Sequence, residues 1–381
     1  MKGNNRRRVI AELVERGPMH RAELARALSV TRTTTTNVVS DGVASGVLCS
    51  AEGLKADVGI GEAPGCLLSV IFQATSTLVL LTRADRTVVH SSRHDLDPAT
   101  VGERRMEEAL GRVTAVLSEL RASVSAAYVA VNAQIDSATG DVMASAASRL
   151  WGGTNPKAYF ERALGCIVVV DNEVRTTGYA QYEAGDRKVQ SQLYIHIAYG
   201  LGCAQIVDGV SVRGARGGAG EIGHVSIDPR GRPCECGSRG CLMQYVGTHV
   251  VDERARVVWG ADASTATLVE RVRQGDRVAV AIVQSVADEL SEALVSALHL
   301  LNPEEVVIGG IVAGFDAILA GPVERALKAR ALPLSVRGLS VRAALPTDIA
   351  RAGLGVLLSM EDVRASLINR CEQIWNKCHA S

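Results

Sequence analysis

Four residues of the types that bind soft metal ions lie in the short segment His224–Cys241. One imidazole and three thiolates satisfy a four-coordinate zinc ion, and the glycines between them allow the chain to turn tightly. A catalytic zinc keeps one position for water, whereas this set fills all four positions. We therefore predict a structural Zn²⁺ site. Its ligands are His224, Cys234, Cys236 and Cys241.

A second group of polar residues opens a short helix near the amino terminus. Apolar spacing and the Gly17-Pro18 break predict three helices, at Arg7–Arg16, Arg21–Leu28 and Thr31–Ser45. In the third helix, Val38, Val39 and Val43 are expected to face inward. The second and third have the proportions of a helix-turn-helix. A hairpin from Val47-Leu48 to Leu67-Leu68 would form a wing, in which Lys55 is the only basic residue.

The third helix begins with TRTTTTN, and Thr31 is its expected N-cap. Consecutive threonines are weak helix formers, so something other than helix propensity selects them. Thr, Arg and Asn contact phosphates and base edges when a helix enters the major groove. The alternative is a packing unit with a solvated threonine face. The residues expected to bind double-stranded DNA are Arg21, Thr31, Arg32, Thr33, Thr34, Thr35 and Asn37.

Charge is distributed unevenly along the chain. Residues 1–50 carry eight basic and four acidic groups, a local charge of +4, although the whole chain has 41 of each. This asymmetry favours a polyanion partner at one end. Because no secretory pattern or membrane-length apolar run is present and six cysteines are scattered, we expect a cytoplasmic protein with reduced thiols and no membrane partner.

From Leu67 onward, short aliphatic strands alternate with longer helices, which is typical of an α/β fold. The body is too long for one compact lobe, so two lobes are expected. The predicted strands are Val70–Phe72, Leu78–Leu81, Tyr128–Val131, Ile167–Val170, Tyr194–Ala198 and Val306–Ile308. The predicted long helices are Val101–Leu120 and Val278–Leu301.

The metal-ligand segment belongs to a longer motif, GAGEIGHVSIDPRGRPCECGSRGC, which resembles the signature of the ROK family of bacterial repressors, open reading frames and sugar kinases. Four further segments are similar to segments of that family. They are VAVNAQIDSATG (Val129–Gly140), VVVDNEVRTTGYAQYEAG (Val168–Gly185), GLGCAQIVDGVSVRGARGGAGEIGH (Gly200–His224) and PEEVVIGGIVAG (Pro303–Gly314). With the helix-turn-helix in front, the chain resembles the repressor branch.

The resemblance implies a winged helix-turn-helix followed by a two-lobed, actin-like and ribonuclease-H-like body with a sugar cleft between the lobes. We expect a DNA-binding domain at 1–66 and a first α/β lobe at 67–186, joined by a carboxy-terminal helix at about 350–381. A second α/β lobe with the zinc loop is expected at 187–349.

The resemblance also implies a set of sugar-binding residues. Carboxylates and amides recognise neutral sugars because such ligands offer only hydrogen bonds. His224 would then have two roles, with one ring nitrogen on zinc and the other edge turned to the sugar. The implied ligand-binding residues are Asn172, Glu173, Glu221 and His224.

The chain departs from the kinases of this family at two positions. The phosphate turn is replaced by QATST, Gln73–Thr77, in which Thr75 stands where glycine would allow close backbone approach. Glu173 replaces the catalytic Asp and is longer by one methylene. Met243 replaces an expected Glu, and Arg175 lies near the sugar set. We therefore predict loss of kinase activity and a ligand that binds weakly or carries an apolar or anionic substituent.

Three functions follow from these residues. The first is a transcriptional regulator, with repression expected, that binds its operator as a homodimer or higher oligomer and senses a sugar effector through lobe closure. The second is an active ATP-dependent sugar kinase with an accessory DNA-binding head. The third is a ligand-blind DNA-binding dimer.

Overall fold

The computed structural model describes residues 2–50, 57–143, 149–185 and 189–378 of the 381-residue chain. These residues form two compact units. The first comprises Met1–Val142, Gly153–Asp171 and Ile349–Ser381, and the second comprises Met143–Gly152 and Asn172–Asp348. Each unit contains one five-stranded sheet with helices packed on it.

The first unit begins with three helices and a small antiparallel sheet of order β1-β3-β2. The three predicted helices are present, and the second has the predicted bounds. The elements are α1 (Lys2–Arg16), β1 (Met19–His20), α2 (Arg21–Leu28), α3 (Arg32–Ala44), β2 (Leu48–Ser50) and β3 (Asp57–Ile60).

Helix α3 begins where the sequence places its cap. Thr31 Oγ1 accepts a hydrogen bond from Thr34 N at 3.1 Å, and Thr35, Val39 and Gly42 form the buried face. Val43 was predicted to face inward but is 41% exposed, since the inward face follows the spacing of 35, 39 and 42.

The predicted hairpin is shorter than expected. Strand β2 pairs with Asp57–Ile60, whereas Leu67-Leu68 lie in a strand of the following sheet. Lys55 lies outside the described residues.

The next part of the first unit contains a five-stranded sheet of order β6-β5-β4-β7-β8 and two helices. Strand β4 is antiparallel to β5 and parallel to β7. The edge strand β6 was not predicted, because its sequence, VVHSSRHD, contains no long apolar run. Its residues are half-buried or exposed. The elements are β4 (Cys66–Phe72), β5 (Ser76–Arg83), β6 (Val88–Asp95), α4 (Gly102–Leu120), β7 (Val124–Val131), α5 (Pro156–Leu164) and β8 (Ile167–Asn172).

The second unit contains a sheet of order β11-β10-β9-β12-β13. Strand β9 is antiparallel to β10 and parallel to β12. The elements are α6 (Glu173–Ala184), β9 (Ser191–Ile197), β10 (Leu201–Val207), β11 (Val210–Ser211), α7 (Met243–Val246), α8 (Thr248–Trp259), α9 (Thr265–Arg273), α10 (Arg277–Leu301), β12 (Glu305–Gly310), α11 (Phe315–Arg330) and β13 (Ser340–Ala343).

The boundary predicted at residue 186 is corrected to Asn172, because α6 packs on the second sheet. A Cβ on Gly178 would lie only 2.5 Å from the Cβ of Ala204, so glycine permits this close approach. Gln192 Nε2 also donates to the Gly178 carbonyl at 3.0 Å. These contacts fix α6, and the residues at its start, to the second unit.

Two helices, α12 (Ile349–Ser359) and α13 (Glu361–Cys378), return the chain to the first unit. Helix α12 packs on β4 and β7, where a Cβ on Gly353 would meet Ser69 and Tyr128. Helix α13 buries a stripe at four-residue spacing and packs against α1. Among the described helices, none has the length and apolarity to cross a membrane.

Candidate functional site

The four predicted metal ligands converge in the second unit. One ligand atom from each residue lies within 4.8 Å of all the others. His224 Nδ1 is 3.7 Å from Cys234 Sγ, and the sulfurs of Cys236 and Cys241 are 3.6 Å apart. Zinc–sulfur bonds of about 2.3 Å in a tetrahedron place two sulfurs about 3.8 Å apart. The set therefore has the dimensions of a closed zinc site.

Backbone hydrogen bonds hold the ligands in this arrangement. Ile227 N donates to Gly240 O at 2.9 Å, and Cys234 N donates to Ser238 O at 2.9 Å. Gly240 has a φ of +69°, and a Cβ there would lie 1.8 Å from the Asp228 carbonyl oxygen. The sharp turn before Cys241 therefore requires glycine.

Burial and hydrogen bonding shift the pKa values of two of these thiols in opposite directions. Burial and the two neighbouring cysteines raise the pKa of Cys241 to about 12. Burial also acts against the Cys234 thiolate, but hydrogen bonds from Cys236, Cys241 and Gln244 outweigh it and lower its pKa to about 7. Three thiolates at this separation repel one another, so full deprotonation needs a positive charge, which a divalent ion supplies. The donor set fits Zn²⁺.

Met243 and Gln244, which follow the last cysteine closely, have structural roles that the sequence did not reveal. The Gln244 side-chain amide donates to Cys234 Sγ at 3.8 Å and so supports a metal ligand. Met243 is 8% exposed and belongs to the core of the second unit together with Cys234 and Cys241. Met243 therefore contributes packing beneath the zinc loop.

Asn172 and Glu173 stand at the junction between β8 and α6. Asn172 caps α6, since its Oδ1 accepts a hydrogen bond from Val174 N at 2.8 Å. Glu173 is 5% exposed, and its Oε1 accepts from Thr177 Oγ1 at 3.1 Å. Helix α6 therefore fixes the positions of both side chains.

The loop that carries Glu221 lies beside the same end of α6. Arg175 Nη1 donates to the Ala219 carbonyl at 3.0 Å, and Cys203 N donates to the Gly220 carbonyl at 2.8 Å. Burial raises the pKa of Cys203 to about 12, and the nearby Glu221 carboxylate adds to this effect. All four predicted ligand residues therefore lie in one unit, and Arg175 joins the two segments that carry them.

Gln73–Thr77 forms a closed turn between β4 and β5 in the first unit. Gln73 N donates to Ser76 O at 2.8 Å, and Ser76 Oγ donates to the Gln73 side chain at 3.1 Å. The guanidinium of Arg105, which is 1% exposed, donates to the carbonyls of Gln73 at 2.8 Å and Ala74 at 3.3 Å. The turn is thus anchored from within by a buried cation, a feature that no local sequence pattern indicated.

Most of the predicted DNA-contact residues lie on the surface of α3. Thr34 is half-buried, and its hydroxyl lies 2.9 Å from that of Thr31. Thr35 is only 2% exposed, and its hydroxyl donates to the Thr31 carbonyl at 3.2 Å. Thr35 therefore does not lie on the exposed face where the prediction placed it, because it belongs to the buried face of α3 with Val39 and Gly42. The exposed members are Thr31, Arg32, Thr33 and Asn37.

Arg21 and Ser40 are two further polar residues of the amino-terminal helices. Arg21, at the start of α2, is half-buried, and its Nη2 donates to Ser50 Oγ in β2 at 3.2 Å. Ser40 is exposed on α3, three residues after Asn37 and seven after Thr33, and its place on the same helix face follows from that spacing alone.

The chain is similar to known proteins over most of its length. The sequence profile of the ROK family matches residues 69–345. The chain belongs to the ROK family. The ROK body thus includes the zinc loop and the four candidate ligand residues, whereas the amino-terminal helices lie outside the matched range.

The relatives of this ROK protein include both enzymes and regulators. It is 26% identical to a glucokinase of Thermotoga maritima over 275 residues, covering 68% of this chain and 85% of the glucokinase. It is also 26% identical to the DNA-binding transcriptional dual regulator NagC of Escherichia coli over 174 residues. That match covers 43% of each protein, so the chain spans less than half of that regulator.

The fold agrees with that of a whole ROK regulator. A crystal structure described as a ROK family transcriptional regulator, a homologue of the Escherichia coli MLC protein, superposes with a TM-score of 0.74 and 20% identity. The superposition covers 98% of both chains, and therefore includes the amino-terminal helices. The two-lobed ROK fold is confirmed.

Proposed function

We propose that this protein is a sequence-specific DNA-binding transcriptional regulator, with a winged helix-turn-helix at its amino terminus and a ROK body that binds a sugar effector. The observation that carries the proposal is the exposed polar face of α3. It presents Arg32, Thr33 and Asn37 from a helix whose opposite face is buried. Regulators such as NagC among the relatives support this function.

A symmetric operator requires two reading helices, because helix-turn-helix proteins bind paired half-sites. We therefore propose a homodimer or higher oligomer as the DNA-binding form. The sugar would bind at Asn172, Glu173, Glu221 and His224, and zinc would brace the loop that carries the last two.

Replacing Arg32 by alanine is expected to raise the Kd for the operator about tenfold, because one base or phosphate contact contributes about 1–3 kcal/mol. The measurement is fluorescence anisotropy with labelled duplexes from upstream of the protein's own gene. A lost phosphate contact would also reduce the slope of log K against log salt by about one.

Arg26→Ala is the matched control for this test. Arg26 is an exposed arginine on α2 whose Nε donates to its own helix at Ala22 O. Equal losses of operator affinity in Arg26→Ala and Arg32→Ala would show a general charge effect. They would contradict the recognition of the operator by α3. Binding without sequence preference even at low salt would remove the proposal altogether.

We also propose that the ROK body has lost kinase activity. Thr75 replaces the glycine that close phosphate approach needs, and the buried Arg105 anchors that turn. A coupled ADP-release assay across hexoses and amino sugars is expected to show no turnover above background. Turnover that Glu173→Gln abolishes would instead establish a kinase with an accessory DNA-binding head.

A further inference from the structure

His196 lies on the α6-facing side of strand β9, near its carboxyl end. The side chains of β9 alternate, so Leu193, Ile195 and Ile197 enter the main core of the second unit. Tyr194 packs instead with Ala204 and Val307 on the opposite face, against α6. His196 follows Tyr194 by two residues and therefore shares this face.

The sheet register places His196 beside the first turn of α6. His196 is paired with Gly202 of β10, so the two residues face the same side. A Cβ on Gly202 would lie 3.3 Å from Val174, the residue that follows Asn172 and Glu173. Val174 therefore packs over Gly202, and the first turn of α6 covers this part of the sheet. His196 lies on the neighbouring strand at the same level, beside the turn of α6 that begins with Glu173.

A buried tyrosine fixes the orientation of the ring. Tyr194 Oη and His196 Nδ1 are 2.9 Å apart, and Tyr194 is 1% exposed. A Cβ on Gly309 would lie 2.7 Å from the Tyr194 hydroxyl, so glycine makes room for this contact. Burial, together with the carboxylates of Glu173 and Asp316, raises the pKa of Tyr194, so the phenol keeps its proton.

The tautomer of His196 follows from this contact. A buried hydroxyl donates to an available acceptor, and Nδ1 is the partner that the structure gives to Tyr194. With Tyr194 as the donor, Nδ1 is the acceptor of this bond, and the N–H of the ring lies at Nε2. Within the part of the chain that the structure describes, Nε2 has no hydrogen-bond partner, and the residue is half-buried. The ring therefore presents one oriented donor.

We propose that His196 is a specificity-determining residue of the sugar site, where its Nε2–H donates to an acceptor oxygen of the bound ligand. The inference rests on the proposed sugar-binding function. The carboxyl oxygens of Glu173 and Glu221 accept hydrogen bonds, so they suit sugar hydroxyl groups as donors. His196 adds an N–H donor, which suits a hydroxyl, ring or acetamido carbonyl oxygen. A sugar offers hydroxyl groups to the carboxyl oxygens and such an acceptor oxygen to His196.

The test compares two amide substitutions in the full-length, zinc-loaded protein. The glutamine of His196→Gln places an N–H close to the position of Nε2. The asparagine of His196→Asn keeps a polar group near Nδ1 for Tyr194 but does not reach as far as Nε2. Isothermal titration calorimetry is run with neutral pentoses, hexoses and N-acetylhexosamines. His90→Ala, a histidine substitution on β6 in the first unit, serves as the matched control.

For the tightest-binding sugar, His196→Asn is expected to raise Kd about tenfold and His196→Gln no more than about threefold, in line with one lost hydrogen bond. Circular dichroism and zinc content establish that each variant is folded, and Tyr194→Phe replaces any variant that is not. Tyr194→Phe is expected to weaken binding about threefold by releasing the ring.

Sugar binding by His196→Asn equal to that of the wild type would overturn the role of His196 but leave the proposed function intact. If the wild-type protein bound no sugar of the panel, the inference and the effector part of the proposed function would both fail. These two failures are distinguishable, since the second appears in the wild-type titration itself.

Discussion

Replacing Trp375 by alanine is expected to lower the free energy of unfolding of the first unit by about 3–5 kcal/mol and to abolish specific DNA binding. Trp375 is fully buried in α13, and a Cβ on Gly42 in α3 would lie 2.6 Å from its ring. Its Nε1 donates to Asp41 Oδ2 at 3.2 Å. The ring therefore supports the back of the helix that we propose reads DNA.

Arg6 joins the same contact from α1. It pairs with Asp41 at 2.6 Å, and its guanidinium lies 5.5 Å from the centre of the Trp375 ring. Arg7 forms a further ion pair with Glu372. Loss of the indole thus leaves a cavity where α1, α3 and α13 meet, and it removes the donor to Asp41. The reading helix would lose its fixed position.

Chemical denaturation and operator binding by anisotropy measure the effect of Trp375→Ala. Asn376→Ala, an exposed neighbour on the same helix, is the matched control and is expected to change neither quantity appreciably. Retention of wild-type operator affinity by folded Trp375→Ala protein would show that α13 does not position α3.

Replacing Cys236 by serine is expected to remove zinc, raising the Kd for the ion at least about 100-fold, because a neutral hydroxyl replaces a thiolate ligand. Cys236 is exposed, so the substitution removes little packing and isolates the role of the metal. Sugar binding should fall with zinc content, because the metal fixes the ring of His224. Elemental analysis and calorimetry measure the two quantities.

Ser238→Ala is the matched control for the zinc loop, since this exposed side chain lies between Cys236 and Cys241. It should retain about one zinc ion per chain, as expected for a single closed site. Folded wild-type protein without zinc, or zinc retention by Cys236→Ser, would contradict a closed Cys₃His site. Full sugar binding by zinc-free Cys236→Ser would contradict the proposed bracing of His224.

The clustering of the four candidate metal ligands and the positions of the amino-terminal helices could be predicted because their signals are local. His224 and the three cysteines lie within 18 residues, and backbone contacts inside that segment assemble them. The N-cap at Thr31 likewise depends on a residue three positions away. In such cases the sequence spacing nearly fixes the spatial arrangement.

Apolar spacing was less reliable where two faces of an element compete for burial. Thr35 was assigned to the DNA-contact surface but is buried, and Val43 was assigned to the core but is exposed. Four consecutive threonines carry no signal that distinguishes the inner from the outer face. The packing of α3 against α1 and α2 makes that distinction.

Sequence alone determined the composition of the metal-ligand loop, the polar motif at the start of α3 and the family signature, since each lies within a short segment of the chain. Tertiary structure decided the support of α3 by Trp375, which lies 334 residues from Asp41. It also decided the placement of His196, which depends on the register of β9 with β10 and on the packing of α6. Contacts at such separations form only when distant elements pack together in the folded state, so no local sequence pattern indicates them.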